Sequence, residues 1–570
     1  MSQRNHPKKK TQSHKLSAGS ISFPLAVFLL SPYLLGGFYE AFAALISLAL
    51  MGWLCVVLIR QGQIRLERSL SLLALAVLAG SYALCSLWAV DRGLAPMGFI
   101  KFLPLPLFLI ALHQLENEQR ELLWDRLPWN GAFMTLLSLL MSRFDSLYDF
   151  VFEGRRIAGF FQYSNSFALF LLMGILPLLQ KKKLHTKDVL CMAVLFLGIL
   201  LSGSRMTMIL LGLLAIVNLF LQKERLHRFL PLGLLLLLGG AGAVYGLITG
   251  DLESAARFLT MFSSSSTVNN RLLFATDALP LILKHPFGLG YLGYYYLQGS
   301  IQHGVYSALY IHNELLQFLL DVGWLPTLLL LGACLKSLLK LPPWKKVMLF
   351  LFLLHCLVDF DLQFVSLGFI LVLLLDDGSG RSWSVKKLPA CLSLAVLSLA
   401  CLYLGLAAAL ENSGHYAAAA ALYPGETRAQ VRLLQETDTA ESMAAKAEDI
   451  LRFNTSAGIA WSARARAAMA RGQWQEMMEY KQKALLLARY SREEYLDYID
   501  MLAVAWDLCE KGQDTAGAEI CRKALAAIPA RMEAVEASTS RWGLLIEKQP
   551  NLSLPPEYGW VEELNEDSQP

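Results

Sequence analysis

The chain has 570 residues, 55% of them hydrophobic and only 17% charged, with a mean hydropathy of +0.44. These values exclude a soluble globule and place the chain among polytopic membrane proteins. A net charge of +4 is too small to mark a nucleic-acid partner, and none is expected.

Residues 1–20 form a basic, polar leader containing Lys8-Lys9-Lys10. Ala41-Phe42-Ala43 imitates a signal cleavage site, but oily sequence continues to Ile59, which favours an uncleaved first span. Apolar runs of helical length follow across residues 21–410. They lie at 21–38, 40–59, 70–90, 96–112, 122–141, 157–179, 187–201, 206–221, 229–249, 309–339, 347–359, 362–375 and 388–410. The sequence therefore predicts an all-α membrane protein with about thirteen spans. Basic clusters fall at the leader, Arg60/Arg65/Arg68, Lys181-Lys182-Lys183, Lys223/Arg225/Arg228, Lys336/Lys340/Lys345/Lys346 and Arg381/Lys386/Lys387. With the N-terminus in the cytoplasm, every cluster lies inside, as the positive-inside rule requires. Residues 250–308 then form a large external loop, and everything after 410 is external.

Composition changes sharply at 411. Residues 411–550 are rich in Ala, Arg and Glu at helical spacing. Gly472-Gln473 and Gly512-Gln513 mark turns forty positions apart, as do Ala484-Leu485 and Ala524-Leu525. That offset is a little longer than the tetratricopeptide period, so this region resembles a small tetratricopeptide-like array. Residues 551–570 read as a flexible tail. Seven of the nine cysteines fall in apolar segments. Cys509 and Cys521 lie in the tail, where spacing alone does not decide whether they pair. No CxxC or metal-ligand cluster appears.

Polar side chains break the apolar pattern at a few points. Tyr310-Ile311-His312-Asn313-Glu314 opens an apolar helix, and Asn313, Gln317 and Asp321 stack on one of its faces at i, i+4, i+8. An acid as deep in an apolar run as Asp321 is costly and reads as functional, the alternative being a packing group satisfied by a neighbouring helix. Arg156, Arg205 and Arg271 fall on the external face, where the charge rule disfavours arginine. Their planar, permanently charged forks suit diphosphate oxygens, although each alone also fits snorkelling or an ion pair. Gln162 and Asn165 are candidate partners of Arg156. His355 and Asp359, at i, i+4 on a later span, can hydrogen-bond within one helix and support the site. Tyr291 to Tyr296 can stack on sugars or anchor the loop at headgroup level, anchoring being the favoured role.

Several of these motifs together resemble the O-antigen ligase/polymerase superfamily of bacterial membrane glycosyltransferases. They are Arg156-x-x-Gly159-x-Phe161-x-x-x-Asn165, Ser202-Gly203-Ser204-Arg205, the Arg271 helix with His285-Pro286-x-Gly288-x-Gly290, and His312-Asn313 opening a span. The likeness covers roughly 157–375. It departs from the family at Tyr163-Ser164-Asn165, where Asn-Pro-Asn is frequent, and at Asp321, where Glu is frequent. The resemblance implies a GT-C-like, metal-independent, inverting transferase in the bacterial inner membrane, without a cofactor. Its donor would be a glycan on undecaprenyl diphosphate, and its acceptor a lipid, glycan or protein hydroxyl. Arg205 and Arg271 would clamp the diphosphate, and His312 would act as general base. Arg156, Asn165, Tyr310, Asn313, Gln317 and Asp321 would bind substrate. The tail would hold the acceptor or a protein partner.

Ligase, repeat-unit polymerase and protein oligosaccharyltransferase share this logic. A flippase or transporter also uses intramembrane charges, but the spans show no internal two-fold repeat. A scaffold acting through its tail is the third class.

Overall fold

The computed structural model describes residues 18–249 and 266–566, apart from 377 and 379. Most of the basic leader, including Lys8-Lys9-Lys10, lies outside the described residues, as do residues 250–265 of the long loop and the end of the tail.

The architecture is all-helical, with four short strands among the described residues. Two helices lack a polar face and occupy the centre, since a helix apolar all round has nowhere else to go. Every residue of Val365–Leu375 is buried, and so is every residue of Ser164–Leu179 except Asn165. Around them pack Glu40–Gln61, Leu70–Cys85, Ala95–Phe102 and Pro104–Leu112. Lys387–Asn412 lies at the rim of this core. One face of it packs on Glu40–Gln61, so closely that a Cβ on Gly405 would press on Ala44. Its opposite face bears Leu388, Leu392, Val396, Leu399, Tyr403 and Leu406, all exposed. An apolar stripe of that length, at helical spacing and facing outward, is a lipid-facing surface.

Among the described residues, three helical stretches are long and apolar enough to cross a membrane: Glu40–Gln61, Ala95–Leu112 and Lys387–Asn412. Five more are apolar but shorter: Phe23–Tyr33, Leu70–Cys85, Ser164–Leu179, Arg205–Leu221 and Val365–Leu375. Length and composition therefore single out fewer helices than the thirteen spans expected. Some apolar runs are divided. The run 309–339 enters as irregular chain, forms Glu314–Asp321, breaks at Val322-Gly323 and restarts as Trp324–Lys340. The break is made by a second segment crossing it. Leu289 and Gly290 donate backbone hydrogen bonds to the carbonyls of Leu320 (2.6 Å) and Asp321 (2.9 Å), and Trp324 donates to Pro286 (3.0 Å). Gly288 and Gly323 have φ of +82° and +79°, and a Cβ on either would overlap the crossing backbone. His285-Pro286-Phe287-Gly288-Leu289-Gly290 is thus a brace for the broken helix.

The bundle has two distinct ends, about 33 Å apart along the 22 residues of Glu40–Gln61. At one end Gln63–Arg68 pairs antiparallel with Arg381–Lys386, in the register Gln63↔Lys386. Two of the basic clusters therefore share one end. At the other end the C-terminal region docks. Its helices, from Tyr416–Leu422 to Ile528–Ala537, pack on their sequence neighbours, as Gly458–Ala470 does on Trp474–Leu487. Cys509 and Cys521 are buried in contact as free thiols, in the pair Arg492–Lys511 and Thr515–Ala526.

The docking contacts include a titratable one. Asp91, in the turn after Leu70–Cys85, accepts from the Leu94 backbone (2.8 Å) and from Asn454 (2.9 Å). Burial pushes its carboxyl up from 3.8 to about 6, against those two hydrogen bonds. The docked state therefore holds a proton between these values that the undocked state has lost. This contribution is fully present below pH 4 and is lost as pH rises through 6, a swing on the order of 2–3 kcal/mol. The tail junction is expected to resist limited proteolysis better at pH 5 than at pH 7.5, and Asp91→Asn to flatten the difference.

Candidate active site

Asp359 is the hub of the site. The helix Pro343–Cys356 stops before it, so Asp359 sits in the turn leading to Val365–Leu375, with only 2% of its side chain exposed. One carboxylate oxygen accepts from Tyr163 Oη (2.8 Å), the Phe360 backbone (3.0 Å) and His312 Nδ1 (3.3 Å). The other accepts from Asn165 Nδ2 (2.8 Å) and faces an Arg271 Nη2 at 3.7 Å. Burial pushes this carboxyl up. The His312 hydrogen bond and the Arg271 guanidinium favour the ionised form against that burial. Four polar side chains from distant parts of the chain are thereby gathered on one buried charge.

His312 enters with φ of +52°, a left-handed conformation uncommon for a residue with a side chain. Its ring lies between Phe274 (6.2 Å) and Phe360 (4.9 Å), and 30% of the side chain is exposed. A hydrogen bond from Nδ1–H to Asp359 leaves Nε2 as the acceptor, on the side away from the carboxylate. Next to it Asn313 caps Glu314–Asp321 by accepting from Leu316, and donates to the Leu357 carbonyl (2.8 Å). Asn313 thus ties the His312 entry to the Asp359 turn.

The arginines come from three directions. Arg271, on Ser266–Lys284, is fixed by an Nε–H bond to the Val358 carbonyl (2.6 Å). Arg156 is presented by a two-residue hairpin, Phe152–Glu153 against Arg156–Ile157. It donates to Asn165 Oδ1 (2.6 Å) and, through Nε, to the Ser202 carbonyl (2.7 Å). That second bond places it on the turn preceding Arg205. Gly203 there has φ of +59° and lies under the Arg156 side chain. Ser204 caps Arg205–Leu221, so half-buried Arg205 occupies the first helical position, where unpaired backbone N–H groups favour an anion.

The structure thus brings His312, Arg271, Arg156, Asn165, Asn313 and Asp359 together, with the Arg205 turn joined through Arg156. It does not bring the rest of the expected set. Gln317 and Asp321 are buried and bond to each other (2.9 Å), Gln317 also accepting from Ile311 and Asp321 from Tyr82 (2.9 Å). Only eight residues of that helix form, so the expected polar stripe turns into the protein at its second and third members. Tyr310 is also buried, bonded to Lys101 (3.1 Å) and Tyr291 (3.0 Å). Tyr291 and Tyr294 are fully buried too and cannot anchor at headgroups, while Tyr295 is partly exposed. Gln162 is exposed and makes none of these bonds.

His355 does not pair with Asp359 within a helix, because the helix ends at Cys356. Its Nδ1 bonds Asp361 (2.6 Å) and its Nε2 bonds Thr207 (3.0 Å), which bonds Ser204 (2.9 Å). Ser166 completes the network on Asp361 (2.9 Å). His355 therefore supports the Arg205 helix start rather than the Asp359 hub. Sequence reasoning missed Tyr163, Asp361 and Glu314, which accepts the Leu362 and Gln363 backbone N–H groups. The available signal was Asp359-Phe360-Asp361, two acids in a non-helical turn.

Among the described residues, one group of three potential metal ligands lies within 4.8 Å: Glu67, His113 and Asp376. It sits at the opposite end of the bundle, and Arg120 already pairs with both carboxylates (3.4 and 2.9 Å).

Residues 190–331 match the family model for O-antigen ligase. No curated protein and no solved structure matches the chain. The matched stretch holds Arg205, Arg271 and His312; Arg156, Asn165 and Asp359 lie outside it. Over that stretch the match supports a likeness to the O-antigen ligase superfamily, and with it a membrane glycosyltransferase-like function in O-antigen assembly.

Proposed function

We propose that the chain is an inverting membrane glycosyltransferase. Its donor is a glycan carried on undecaprenyl diphosphate, and its acceptor is a hydroxyl at the extracytoplasmic face of the bacterial inner membrane. The observation that carries this reading is the single buried Asp359, which holds a half-exposed imidazole and a guanidinium side by side. His312 Nε2 takes the proton of the acceptor hydroxyl. The acceptor oxygen bonds to the anomeric carbon as the bond from that carbon to the diphosphate oxygen breaks. The electron pair leaves on undecaprenyl diphosphate, and Arg271, Arg205 and the helix start at Arg205 stabilise its charge. Attack opposite the leaving group inverts the anomeric centre. Arg156 and Asn165 bind substrate or hold that geometry, with His355 as support. The positive-inside pattern supports the external placement, because the site lies at the end of the bundle away from the paired basic strands.

The leaving group is already activated, so the proposal uses no metal or cofactor. The C-terminal helices, read as tetratricopeptide-like, hold the acceptor or a partner. Ligase, polymerase and protein oligosaccharyltransferase share these steps. Deleting the gene separates the first two: a ladder collapsed to one repeat marks a polymerase, and free lipid-linked polymer with a bare core marks a ligase.

The test is transfer by purified protein from lipid-linked glycan to acceptor, in the presence of a chelator. Arg271→Ala and Arg205→Ala are each expected to reduce kcat by about 10²–10³-fold, the cost of removing one oxyanion-type donor. Wild-type rates from Arg271→Ala, or activity abolished by chelation and restored by a divalent cation, refute the mechanism.

A further inference from the structure

The Arg271 helix carries a second feature, on the part of it that Asp359 does not touch. Between Ser266–Lys284 and the C-terminal region lies an open groove of about 590 Å³. It is lined by Asp277, Lys284, His303, Arg489, Arg541 and Trp542, among others. Two domains build it, and the joint is tight. Ser540 donates its backbone N–H to the His303 carbonyl (2.9 Å), and Gly304 and Gly543 abut so closely that a Cβ on either would overlap the other segment. Arg489 is fixed by its backbone on Gly299 (3.3 Å) and by a bond to Ser538 (3.0 Å).

The charges in the groove do not cancel. Asp277 is already taken: it accepts from His303 Nδ1 (2.7 Å), the His303 backbone (3.0 Å) and Tyr306 Oη (2.9 Å). Among the described residues, neither Lys284 nor Arg541 has a hydrogen-bond or ion-pair partner. Three cations therefore line one groove, two of them without a carboxylate partner, and the Arg541 guanidinium lies over the Trp542 ring at 5.7 Å. Cations with an adjacent aromatic face suit a flat, hydroxylated ligand that carries negative charge. The groove also communicates with the site. Tyr306, on Asp277, packs its ring on Phe274 (4.7 Å), and Phe274 stacks on His312. Asp277 follows Arg271 by six residues, about 9 Å along the helix.

We propose that this groove binds an anionic oligosaccharide, the charged part of the acceptor, and thereby delivers the acceptor hydroxyl toward His312. The assignment of the ligand as acceptor rests on the glycosyl-transfer reading; the binding of an acidic glycan does not. The test uses the full-length protein in detergent and three labelled probes: hexagalacturonate, maltohexaose and hexaglutamate. Hexagalacturonate is expected to bind more tightly than the other two. Arg541→Ala, Lys284→Ala and Trp542→Ala are each expected to weaken it by about tenfold, and His312→Ala to leave it unchanged. Arg541 and Lys284 are exposed, so their loss leaves folding intact. In transfer assays Arg541→Ala is expected to raise the acceptor KM with kcat retained.

Equal binding of maltohexaose, or full affinity in Trp542→Ala, overturns the groove assignment. Preference for hexaglutamate overturns it in favour of a peptide acceptor. Active His312→Ala protein with intact, Arg541-dependent binding would sink the transfer mechanism and leave the groove standing.

Discussion

His312→Ala is expected to slow glycan transfer by about 10²–10⁴-fold, the range that a positioned general base contributes. The reason lies in what holds the imidazole. Asp359 takes one ring nitrogen and two aromatic rings flank the face, so the other nitrogen is fixed where an acceptor hydroxyl can meet it. Donor affinity is expected to stay near wild type, since the proposed diphosphate contacts belong to the arginines. Stability is expected to change little, because the side chain is partly exposed. Asp359→Ala is expected to behave differently. It orphans donors on Tyr163 and Asn165 and leaves Arg271 unbalanced, so it costs folding on the order of 3–5 kcal/mol as well as rate. Comparing the two variants by melting temperature and kcat separates the base from its support. Wild-type transfer by folded His312→Ala protein would remove the base from the mechanism.

Much of this geometry left a trace in the sequence, and the exceptions have physical causes. Arg156, Arg271 and His312 were legible because each is a polar residue where composition or the charge rule opposes one, and Asn165 because it neighbours Arg156. Gln317 and Asp321 carried the same signal for another reason. A buried acid bonded to a glutamine and a tyrosine is as anomalous in an apolar run as a site residue, and sequence cannot show which way the helix turns. Asp359 was visible but misassigned. Its i, i+4 spacing from His355 implies a shared helical face, yet the helix ends between them, and Asp361 becomes the partner of His355. Helix count suffered similarly. Crossing segments, such as 286–290 over 321–324, break apolar runs that hydropathy reads as continuous. Tyr163 was invisible because its value comes from Asp359, almost two hundred positions away.

Arg428→Met is expected to destabilise the protein by about 3–5 kcal/mol, although it lies in the C-terminal region and far from His312 in sequence. Arg428 donates to both oxygens of Glu40 (3.2 Å each) at the start of Glu40–Gln61, and to both oxygens of Glu426 (2.7 and 3.2 Å). Both carboxylates are buried, so removing the guanidinium leaves two negative charges facing each other out of water. The network continues inward. Glu40 accepts from Tyr291 (2.6 Å), Tyr291 bonds Tyr310, and Lys101 donates to Tyr310 and to the Phe38 carbonyl (2.8 Å). The Tyr310 ring packs on Phe360 (5.5 Å), one of the two rings that hold His312. Undocking Arg428 thus loosens the wall behind the imidazole, and the folded fraction of Arg428→Met is expected to lose kcat as well as stability. Arg428→Met/Glu40→Gln is expected to recover part of the stability, because one of the stranded charges is gone, and a double-mutant cycle reads the coupling directly. A melting temperature and kcat both at wild-type level in Arg428→Met would mean that the C-terminal region is an appendage. The buried chain from Arg428 to Tyr310 argues instead that it is a structural part of the end that carries the candidate site.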